Sequence, residues 1–377
     1  MKNATKSTPA SNPGQIVLVF QGGGALGAYQ AGVYQALHEA RVEPDWVVGT
    51  SIGAINASLI AGNEPSERLP RLEEFWRLMS FKSFWSHGGV WPQLAQSMSY
   101  MNTIMSGIPN FFSPNPLAFA SRDLPLGPEN ASYYSTKPLE KTLSSLVDFD
   151  LIRSCKPRLT VGAAQVRSSK MHYFDSRDME LGVKHILASG ALPPAFPAVR
   201  IDGELYWDGG ILSNTPAEVV FDDNPRRDSL IFAVHLWNPA GAEPGTIAEV
   251  LNRHKDIQYS SRVSSHITRQ LHSHKLRHVI KQLAAQVPQP ARDSALVKEL
   301  ESWGCTTRMH VVRLVAPMID GEDQSKDVDF SKEGIAKRWE AGYADAITSL
   351  ERAPWRDEFD PLEGVILHEF SAAEQVS

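Results

Sequence analysis

Two short apolar segments near the start of the chain, each followed by glycines and then by helix-forming residues, constrain its fold most. The first segment is Ile16 to Phe20, and it stops at Gly22-Gly23-Gly24. The second is Trp46-Val47-Val48, and the apolar stretch Ile52 to Ala61 after it is predicted to be a helix. Uninterrupted apolar strands are typical of a parallel sheet buried on both faces. The βαβα order therefore predicts an α/β fold, a three-layer sandwich with a mainly parallel central sheet and helices on both faces.

The rest of the chain adds further strands and then long helices. A hairpin around Asp202-Gly203 is predicted to end at Asp208. Met309 to Val315 is expected to be the last strand, and a stripe of apolar residues spaced by four marks a final helix over residues 335–347. The other predicted elements are strands at Leu159 to Ala164, Lys170 to Phe174 and Leu230 to Leu236, and helices at Leu69 to Met79, Val183 to Ser189 and Ile247 to Gln286.

Composition divides the chain into three parts. Residues 1–14 are polar and contain no apolar run, so they are predicted to be a flexible leader. Residues 15–240 hold the α/β core, which is interrupted at 64–135 by a segment rich in aromatic residues and proline. Residues 241–377 form a C-terminal part with a basic helical segment, the last strand and the terminal helix.

Charge, cysteine content and hydropathy exclude several classes of protein. The net charge of −6, from 37 basic and 43 acidic residues, gives no general attraction for nucleic acid. Cys155 and Cys305 are the only cysteines, so neither a disulfide framework nor a cysteine zinc cluster is expected, and no metal or cofactor is predicted. No stretch reaches the roughly 18 apolar residues of a membrane span. We expect a cytoplasmic protein. Peripheral contact with the inner membrane surface stays open.

The second glycine turn has the spacing of a nucleophile elbow. Gly49-Thr50-Ser51-Ile52-Gly53 places Ser51 between a predicted strand and a predicted helix. In such an elbow, the small residues allow a strained turn that exposes the serine hydroxyl where the helix begins. The motif predicts that Ser51 is a nucleophile, and the alternative is a plain turn in which Ser51 only caps the helix.

The first glycine turn fits two functions. Gly22, Gly24 and Gly27 have the G-x-G-x-x-G spacing of dinucleotide-binding proteins. Those proteins need an acidic residue at the end of the second strand, and here that position holds the Gly49-Thr50-Ser51 turn. We therefore interpret Gly22, Gly23 and Gly24 as backbone N–H donors beside Ser51, an oxyanion hole. Simple turn glycines are the alternative.

The base that would activate Ser51 is less evident. None of the twelve histidines has a persuasive setting, because most lie in the basic helical segment or inside a buried strand such as the one with His235. Asp208 is the better candidate, since it ends a hairpin strand and Gly209-Gly210 lets other groups approach it. An ordinary Asp-Gly turn is the alternative.

Taken together, three segments resemble the signature blocks of one family. They are Gln21 to Gly27, Gly49 to Gly53 and Asp208-Gly209-Gly210, and in this order they are similar to the blocks of the patatin-like phospholipases. The segment Ala188 to Pro193, which continues through Phe196-Pro197 to Asp208-Gly209-Gly210, also resembles the family. The resemblance implies a Ser51–Asp208 dyad without histidine, a patatin-like fold and hydrolysis of lipid acyl esters, a phospholipase A or lipid acyl hydrolase activity.

One position departs from the family pattern. Many members carry Arg or Lys where this chain has Leu26, so a neutral ester or a hydroxyacid oligoester becomes an alternative substrate. The aromatic segment is then either a lid or acyl channel, or a satellite core. The basic segment Ile247 to Gln286 either meets anionic headgroups or is solvated. A nucleotide-binding regulatory module, which would use the glycine loop on phosphate, remains as an alternative of another class, and the oligomeric state is left open.

Overall fold

The computed structural model describes residues 14–81, 103, 105–121, 123–319, 322–360 and 362–370. The predicted leader, apart from Gly14, lies outside the described residues, as do positions 82–102 of the aromatic segment.

A mixed sheet forms the centre of the described chain. Its strand order is β11-β10-β9-β1-β2-β5-β8-β7, and β6 also pairs with β5. The pairs from β11 to β5 are all parallel, whereas β6, β7 and β8 add antiparallel pairs beside β5. The predicted α/β class with a mainly parallel sheet is confirmed. The strands are β1 (Gln15–Phe20), β2 (Trp46–Thr50), β5 (Arg158–Gln165), β6 (Lys170–Asp175), β7 (Val199–Ile201), β8 (Glu204–Asp208), β9 (Ser229–His235), β10 (Met309–Val315) and β11 (Val365–Glu369); β3 (Ser113–Pro114) and β4 (Tyr134–Ser135) form a separate hairpin.

Helices cover both faces of the sheet. Alternate residues of β1 enter two different cores, Leu18 and Phe20 on one face and Val17 and Val19 on the other. The strand is therefore apolar throughout, and full burial of each such side chain contributes roughly 1.5–3 kcal/mol. The helices are α1 (Ala28–Glu39), α2 (Ile52–Ala61), α3 (Pro65–Met79), α4 (Pro116–Ala120), α5 (Lys137–Leu146), α6 (Phe149–Ile152), α7 (Val183–Ser189), α8 (Glu218–Phe221), α9 (Ile247–Gln286), α10 (Ala295–Ser302) and α11 (Lys332–Arg352).

The prediction that Met309 to Val315 is the last strand is wrong. β11 follows it and pairs with β10 in parallel, Met309 opposite Val365 and Arg313 opposite Glu369. β11 is an edge strand of only five residues and is partly exposed. Such a strand does not require a continuous apolar run, so its sequence signal is weak. The C-terminal part thus supplies two strands to the same sheet as the core.

The C-terminal part is also fastened to the core by helix packing. A Cβ atom at Gly342 of α11 would lie 2.0 Å from the carbonyl oxygen of Tyr29, and one at Gly32 of α1 would lie 1.9 Å from that of Trp339. Only glycine permits such a close crossing. The predicted stripe lies at this contact, where Trp339 Nε1 donates to Gln35 Oε1 at 2.6 Å.

Several basic residues of α9 are engaged within the protein. Lys255 Nζ lies 2.7 Å from Asp327 Oδ1, and Lys281 Nζ lies 2.7 Å from Glu301 Oε1. Arg253 Nη1 donates to the carbonyl oxygen of Asn238 at 3.2 Å. These contacts hold the helix against neighbouring segments. The three basic side chains are bound within the protein, which argues against a role for them in binding anionic headgroups.

Candidate active site

Ser51 occupies a strained turn between β2 and α2. Its backbone angles are φ 57° and ψ −127°, a conformation that costs a non-glycine residue of order 1–3 kcal/mol. A Cβ at Gly49 would lie 2.3 Å from the oxygen of Gly53, and one at Gly53 would lie 2.3 Å from the oxygen of Phe20. The two glycines are required because α2 begins in direct contact with the ends of the strands, which directs Ser51 outward.

The end of α7 braces this turn. The backbone N–H of Ser51 donates to Ser189 Oγ at 3.0 Å and to the Ser189 carbonyl oxygen at 3.2 Å. Ser189 Oγ in turn donates to the carbonyl oxygen of Gly162 at 2.6 Å. Ser189 therefore ties the elbow to β5. Ser189 had no predicted role of its own, because a serine before a glycine, here Gly190, is common at helix ends.

Asp208 lies beside the elbow at the end of β8. Thr50 is opposite Gly162 on β5, and Asp208 is opposite the next residue of β5, Ala163. Because Gly162 has no side chain, the two neighbouring strand ends can approach each other across it. A Cβ at Gly209 would lie only 2.5 Å from the oxygen of Gly162. The structure thus brings Ser51 and Asp208 together at one cleft.

The carboxyl group of Asp208 is almost fully buried, with 2% of the residue exposed. Burial raises the pKa of Asp208 from 3.8 to about 6, and hydrogen bonding from the Ser51 side chain and the Gly210 N–H opposes that rise. The Gly210 N–H donates to Asp208 Oδ1 at 2.7 Å. A carboxylate with a pKa near neutrality accepts a proton from a hydroxyl more readily than an ordinary aspartate does.

The glycine loop lies on the other side of Ser51. The N–H of Gly22 donates to the carbonyl oxygen of Asn214 at 3.1 Å, so it is already engaged. The N–H groups of Gly23 and Gly24 have no hydrogen-bond partner among the described residues. A Cβ at Gly22 would lie 3.0 Å from the Cβ of Ser51, so a glycine at position 22 lets the loop approach Ser51 closely. The set of candidate oxyanion donors is thereby narrowed to Gly23 and Gly24.

Gly24 and Gly27 have separate packing roles in this loop. Gly24 has φ +55°, and a Cβ there would lie 2.2 Å from the carbonyl oxygen of Asp327. A Cβ at Gly27 would lie 2.5 Å from Ile52 Cγ1 on α2. The G-x-G-x-x-G spacing thus reflects contacts with the C-terminal part and with the elbow helix. The end of β2 carries Thr50 and Ser51, without the acid that a dinucleotide ribose requires.

A buried glutamine, Gln21, holds the loop in place, and the sequence assigned it no role. Its Oε1 accepts hydrogen bonds from the N–H groups of Leu236 at 2.6 Å and Trp237 at 3.1 Å, and its Nε2 donates to Thr215 Oγ1 at 2.8 Å. Trp237 Nε1 also donates to the Gly22 oxygen at 2.8 Å. A fully buried amide with these partners is a fixed support for the loop.

A cleft with about 1170 Å³ of empty volume, including open solvent, leads to Ser51 and Asp208. One side of it is apolar and aromatic. Its wall includes Ile55, Phe111, Phe112, Leu139, Phe196 and Phe330. Phe112 and Phe196 are in contact, with ring centroids 5.4 Å apart. The described part of the aromatic segment is therefore both packed into the core and exposed to the cleft, so the two interpretations of it are not exclusive.

The C-terminal part contributes to the cleft wall as well, beyond the aromatic Phe330. Tyr259 of α9 and Asp327 line it next to the glycine loop. Burial, with the nearby charges of Asp208 and Asp327, raises the pKa of Tyr259, so its hydroxyl stays protonated at neutral pH. No local sequence pattern marks these two residues, because they follow the elbow by about 200 positions or more.

The histidines and Leu26 lie elsewhere. Within the described residues, no histidine lines the cleft. His235 is 1% exposed, and burial together with Arg313 lowers its pKa to about 3, as expected for a neutral core histidine. Leu26 faces a separate small cavity that is also lined by Lys326 and Arg338.

Neither a metal-ligand cluster nor a membrane-spanning helix is found among the described residues. They contain no cluster of three or more His, Cys, Asp or Glu side chains arranged as metal ligands. Among the same residues, no helix combines the length and apolarity that crossing a bilayer demands.

A strand, a strained serine turn and a helix follow one another beside a buried carboxyl group. This arrangement places the chain among α/β proteins with the geometry of a nucleophile elbow. A family profile described as patatin-like phospholipase matches residues 18–221, and one described as patatin phospholipase matches residues 257–362. The chain belongs to the patatin-like phospholipase family, which confirms the resemblance drawn from its three glycine-containing blocks.

Individual relatives share only part of the chain. A patatin-like phospholipase domain-containing protein of Caenorhabditis elegans is 46% identical over 61 residues, 16% of this chain and 6% of that protein. Lysophospholipase nte1 of Aspergillus terreus is 26% identical over 263 residues, 63% of this chain and 14% of that protein. The crystal structure of VipD from Legionella pneumophila is similar over 90% of this chain and 67% of that chain, with 15% identity and a TM-score of 0.40. The chain thus spans a small fraction of these curated relatives.

Proposed function

We infer that this protein hydrolyses acyl esters of lipids through a Ser51–Asp208 dyad. The observation that carries this proposal is the pairing of a strained, outward-facing serine with a buried carboxyl group whose pKa is raised to about 6, at one end of an apolar cleft. Membership of the patatin-like phospholipase family supports a lipid as the substrate.

In the proposed reaction, Ser51 Oγ attacks the ester carbonyl carbon while its proton passes to Asp208. The N–H groups of Gly23 and Gly24 stabilise the oxyanion that forms. The intermediate collapses, the leaving alcohol takes the proton from Asp208, and the acyl group remains on Ser51 as an ester. A water molecule then attacks this acyl enzyme and gives its proton to Asp208, and Ser51 Oγ recovers that proton as the fatty acid leaves.

The aromatic side of the cleft supports an acyl chain as the group transferred to Ser51. Burial of each methylene of such a chain contributes about 0.8 kcal/mol. Filling the cleft should therefore improve binding with chain length until the apolar wall ends. A series of p-nitrophenyl esters from C2 to C16 measures this, and we expect kcat/KM to rise through the medium chain lengths.

A fluorophosphonate probe tests the dyad. Wild type is expected to be labelled, Ser51→Ala not at all, and Asp208→Asn at a rate at least a hundredfold lower. Ser58→Ala is the matched control, because Ser58 lies on the same helix and its Oγ donates only to the Ile55 oxygen at 2.8 Å. Wild-type protein that resists labelling and turns over no ester would refute the proposal. Stabilisation by nucleotides in that case would favour the nucleotide-binding alternative.

We also propose that the protein contacts a membrane surface peripherally, next to the cleft. Residues 105–121 contain no charged side chain, and Leu117 and Phe119 on α4 are 58% and 54% exposed. The ring centroid of Phe119 lies 6.3 Å from that of Tyr134, which lines the cleft. Co-sedimentation with phosphatidylcholine vesicles should decrease severalfold for L117S/F119S. It should not change for Leu296→Ser, a control at 64% exposure on α10.

A further inference from the structure

Tyr259 is held at a fixed position beside the glycine loop. Its ring stacks on that of Trp237, with centroids 4.8 Å apart and an interplanar angle of 29°. The backbone oxygen of Tyr259 accepts a hydrogen bond from Gln21 Nε2 at 3.3 Å. Since Trp237 and Gln21 also hold the glycine loop, Tyr259 keeps its place relative to the predicted oxyanion donors.

Asp327 is fixed to the same loop from the other direction. Its carbonyl oxygen lies where a Cβ of Gly24 would be, at 2.2 Å. Its carboxylate pairs with Lys255, Nζ to Oδ1 2.7 Å, and Lys255 also donates to the Gln324 oxygen at 2.8 Å. The Asp327 side chain keeps 22% of its surface exposed, so it is in the cleft wall without being sealed off.

The charges that line the cleft have one sign. Among the described residues of its wall, the ionisable acids are Asp208 and Asp327, and no lysine or arginine is present there. Lys326, which directly precedes Asp327, faces the separate cavity of Leu26. Its Nζ lies 2.6 Å from Asp256 Oδ1. Leu26 and Lys326 thus both face that separate cavity, and neither supplies a cation to the wall of the cleft.

Among the described residues of the wall, the contacting rings form two separate groups, one around Phe111, Phe112 and Phe196 and one made by Trp237 and Tyr259. The aromatic side suits the acyl chain, which leaves the side with Tyr259 and Asp327 for the alcohol of the ester. A phenol that stays protonated donates a hydrogen bond to an alcohol oxygen, and a carboxylate accepts one from a further hydroxyl. Towards a phosphate or carboxylate group on the alcohol, the same carboxylate offsets the attraction of its partner Lys255, so the pair offers such a group no net positive charge.

We propose that Tyr259 and Asp327 bind the leaving alcohol and select neutral polyol esters, of the acylglycerol class, against esters whose alcohol carries a net negative charge. The proposal rests on the function proposed above and names the substrate class of that site. Both residues belong to the C-terminal part, which is thereby assigned a role in specificity.

A panel of three lipids with the same lauroyl chain tests the proposal. They are lauroylglycerol, lauroyl lysophosphatidylcholine and lauroyl lysophosphatidic acid, presented in the same detergent micelles. We expect kcat/KM for lauroylglycerol to exceed that for lysophosphatidic acid at least tenfold, with the zwitterionic lipid between them. Equal or faster turnover of lysophosphatidic acid would overturn the proposal.

Variants of Asp327 separate charge selection from a structural effect. In Asp327→Asn, Lys255 loses its carboxylate partner beside the cleft, so turnover of lysophosphatidic acid should rise severalfold relative to lauroylglycerol. The double variant K255M/D327N removes the cation as well and should lose that gain. Asp178→Asn is the control, because Asp178 is a surface acid with a side chain 67% exposed. An unchanged substrate ratio in Asp327→Asn would contradict the proposal.

Variants of Tyr259 test the contact with the alcohol. Tyr259→Phe should lower kcat/KM for lauroylglycerol about tenfold and that for p-nitrophenyl laurate much less, since p-nitrophenolate leaves without a donor. Tyr343→Phe is the control, because its hydroxyl donates to Glu39 Oε2 at 2.7 Å on another surface. An equal loss on both substrates would show a merely structural role and refute the assignment. Ser51-dependent hydrolysis of p-nitrophenyl laurate tests the proposed function separately, so either idea can fail alone.

Discussion

Replacing Asp208 by asparagine should remove activity and, at the same time, stabilise the fold. The pKa of Asp208 is raised from 3.8 to about 6, mainly by burial, so the folded protein holds its proton more tightly than the unfolded chain does. Above pH 6 the ionised carboxylate is carried at a cost, and below pH 4 both states are protonated and the cost disappears. A shift of roughly two units corresponds to about 3 kcal/mol. Asparagine keeps an acceptor for the Gly210 N–H and carries no charge.

The unfolding free energy of Asp208→Asn should therefore exceed that of wild type by up to about 3 kcal/mol at pH 8, and the difference should decrease to about 0.5 kcal/mol at pH 4. Urea denaturation followed by tryptophan fluorescence at both pH values measures it. Asp178→Asn is the control, because a carboxyl group on an exposed side chain should give no such pH-dependent gain. An Asp208→Asn protein that is no more stable than wild type at pH 8 would show that the carboxylate is not strained by burial, and the reasoning would fail.

Further predictions concern the pH profile and the supports of the elbow. Because the base form of Asp208 is required and its pKa is about 6, kcat/KM for p-nitrophenyl esters should fall about tenfold between pH 7 and pH 5; a flat profile would exclude Asp208 as the base. Gly24→Ala should lower the unfolding free energy by about 2 kcal/mol in urea titrations, since φ is +55° and the new Cβ would collide with the Asp327 oxygen. Ser189→Ala, compared with Ser58→Ala, should reduce fluorophosphonate labelling of Ser51 about tenfold, because the elbow loses its hydrogen bond to Ser189 Oγ.

The parts of the fold that follow from local sequence were predicted, and the parts that depend on distant contacts were not. β1 is recognisable because Val17 and Leu18 enter different cores, which makes every position apolar. The glycines at 49 and 53 are recognisable because a close backbone approach admits no other residue. The short edge strand β11 has no such signature, and its existence depends on pairing with β10.

The candidate site shows the same division. The proposed dyad residues Ser51 and Asp208 each belong to a short motif, so local sequence could single them out as candidates. The engagement of the Gly22 N–H by Asn214 could not, because it joins residues 192 positions apart. Tyr259 and Asp327 enter the cleft wall only through the packing of α9 and of the segment before α11. The boundary between core and C-terminal part at residue 240 stays a prediction.

The pairing of β9 with β10 has a consequence for the order of synthesis. When synthesis has passed residue 240, Ser51 and Asp208 are both present, but the outer edge of β9 has no strand beside it and Gly24 has no Asp327 against it. We expect such a nascent chain to remain inactive and to need protection of that edge, because an unpaired strand invites association with other chains. The proposed active site would become competent only after about 130 further residues have been added, when β10, α11 and β11 join the sheet and its helices.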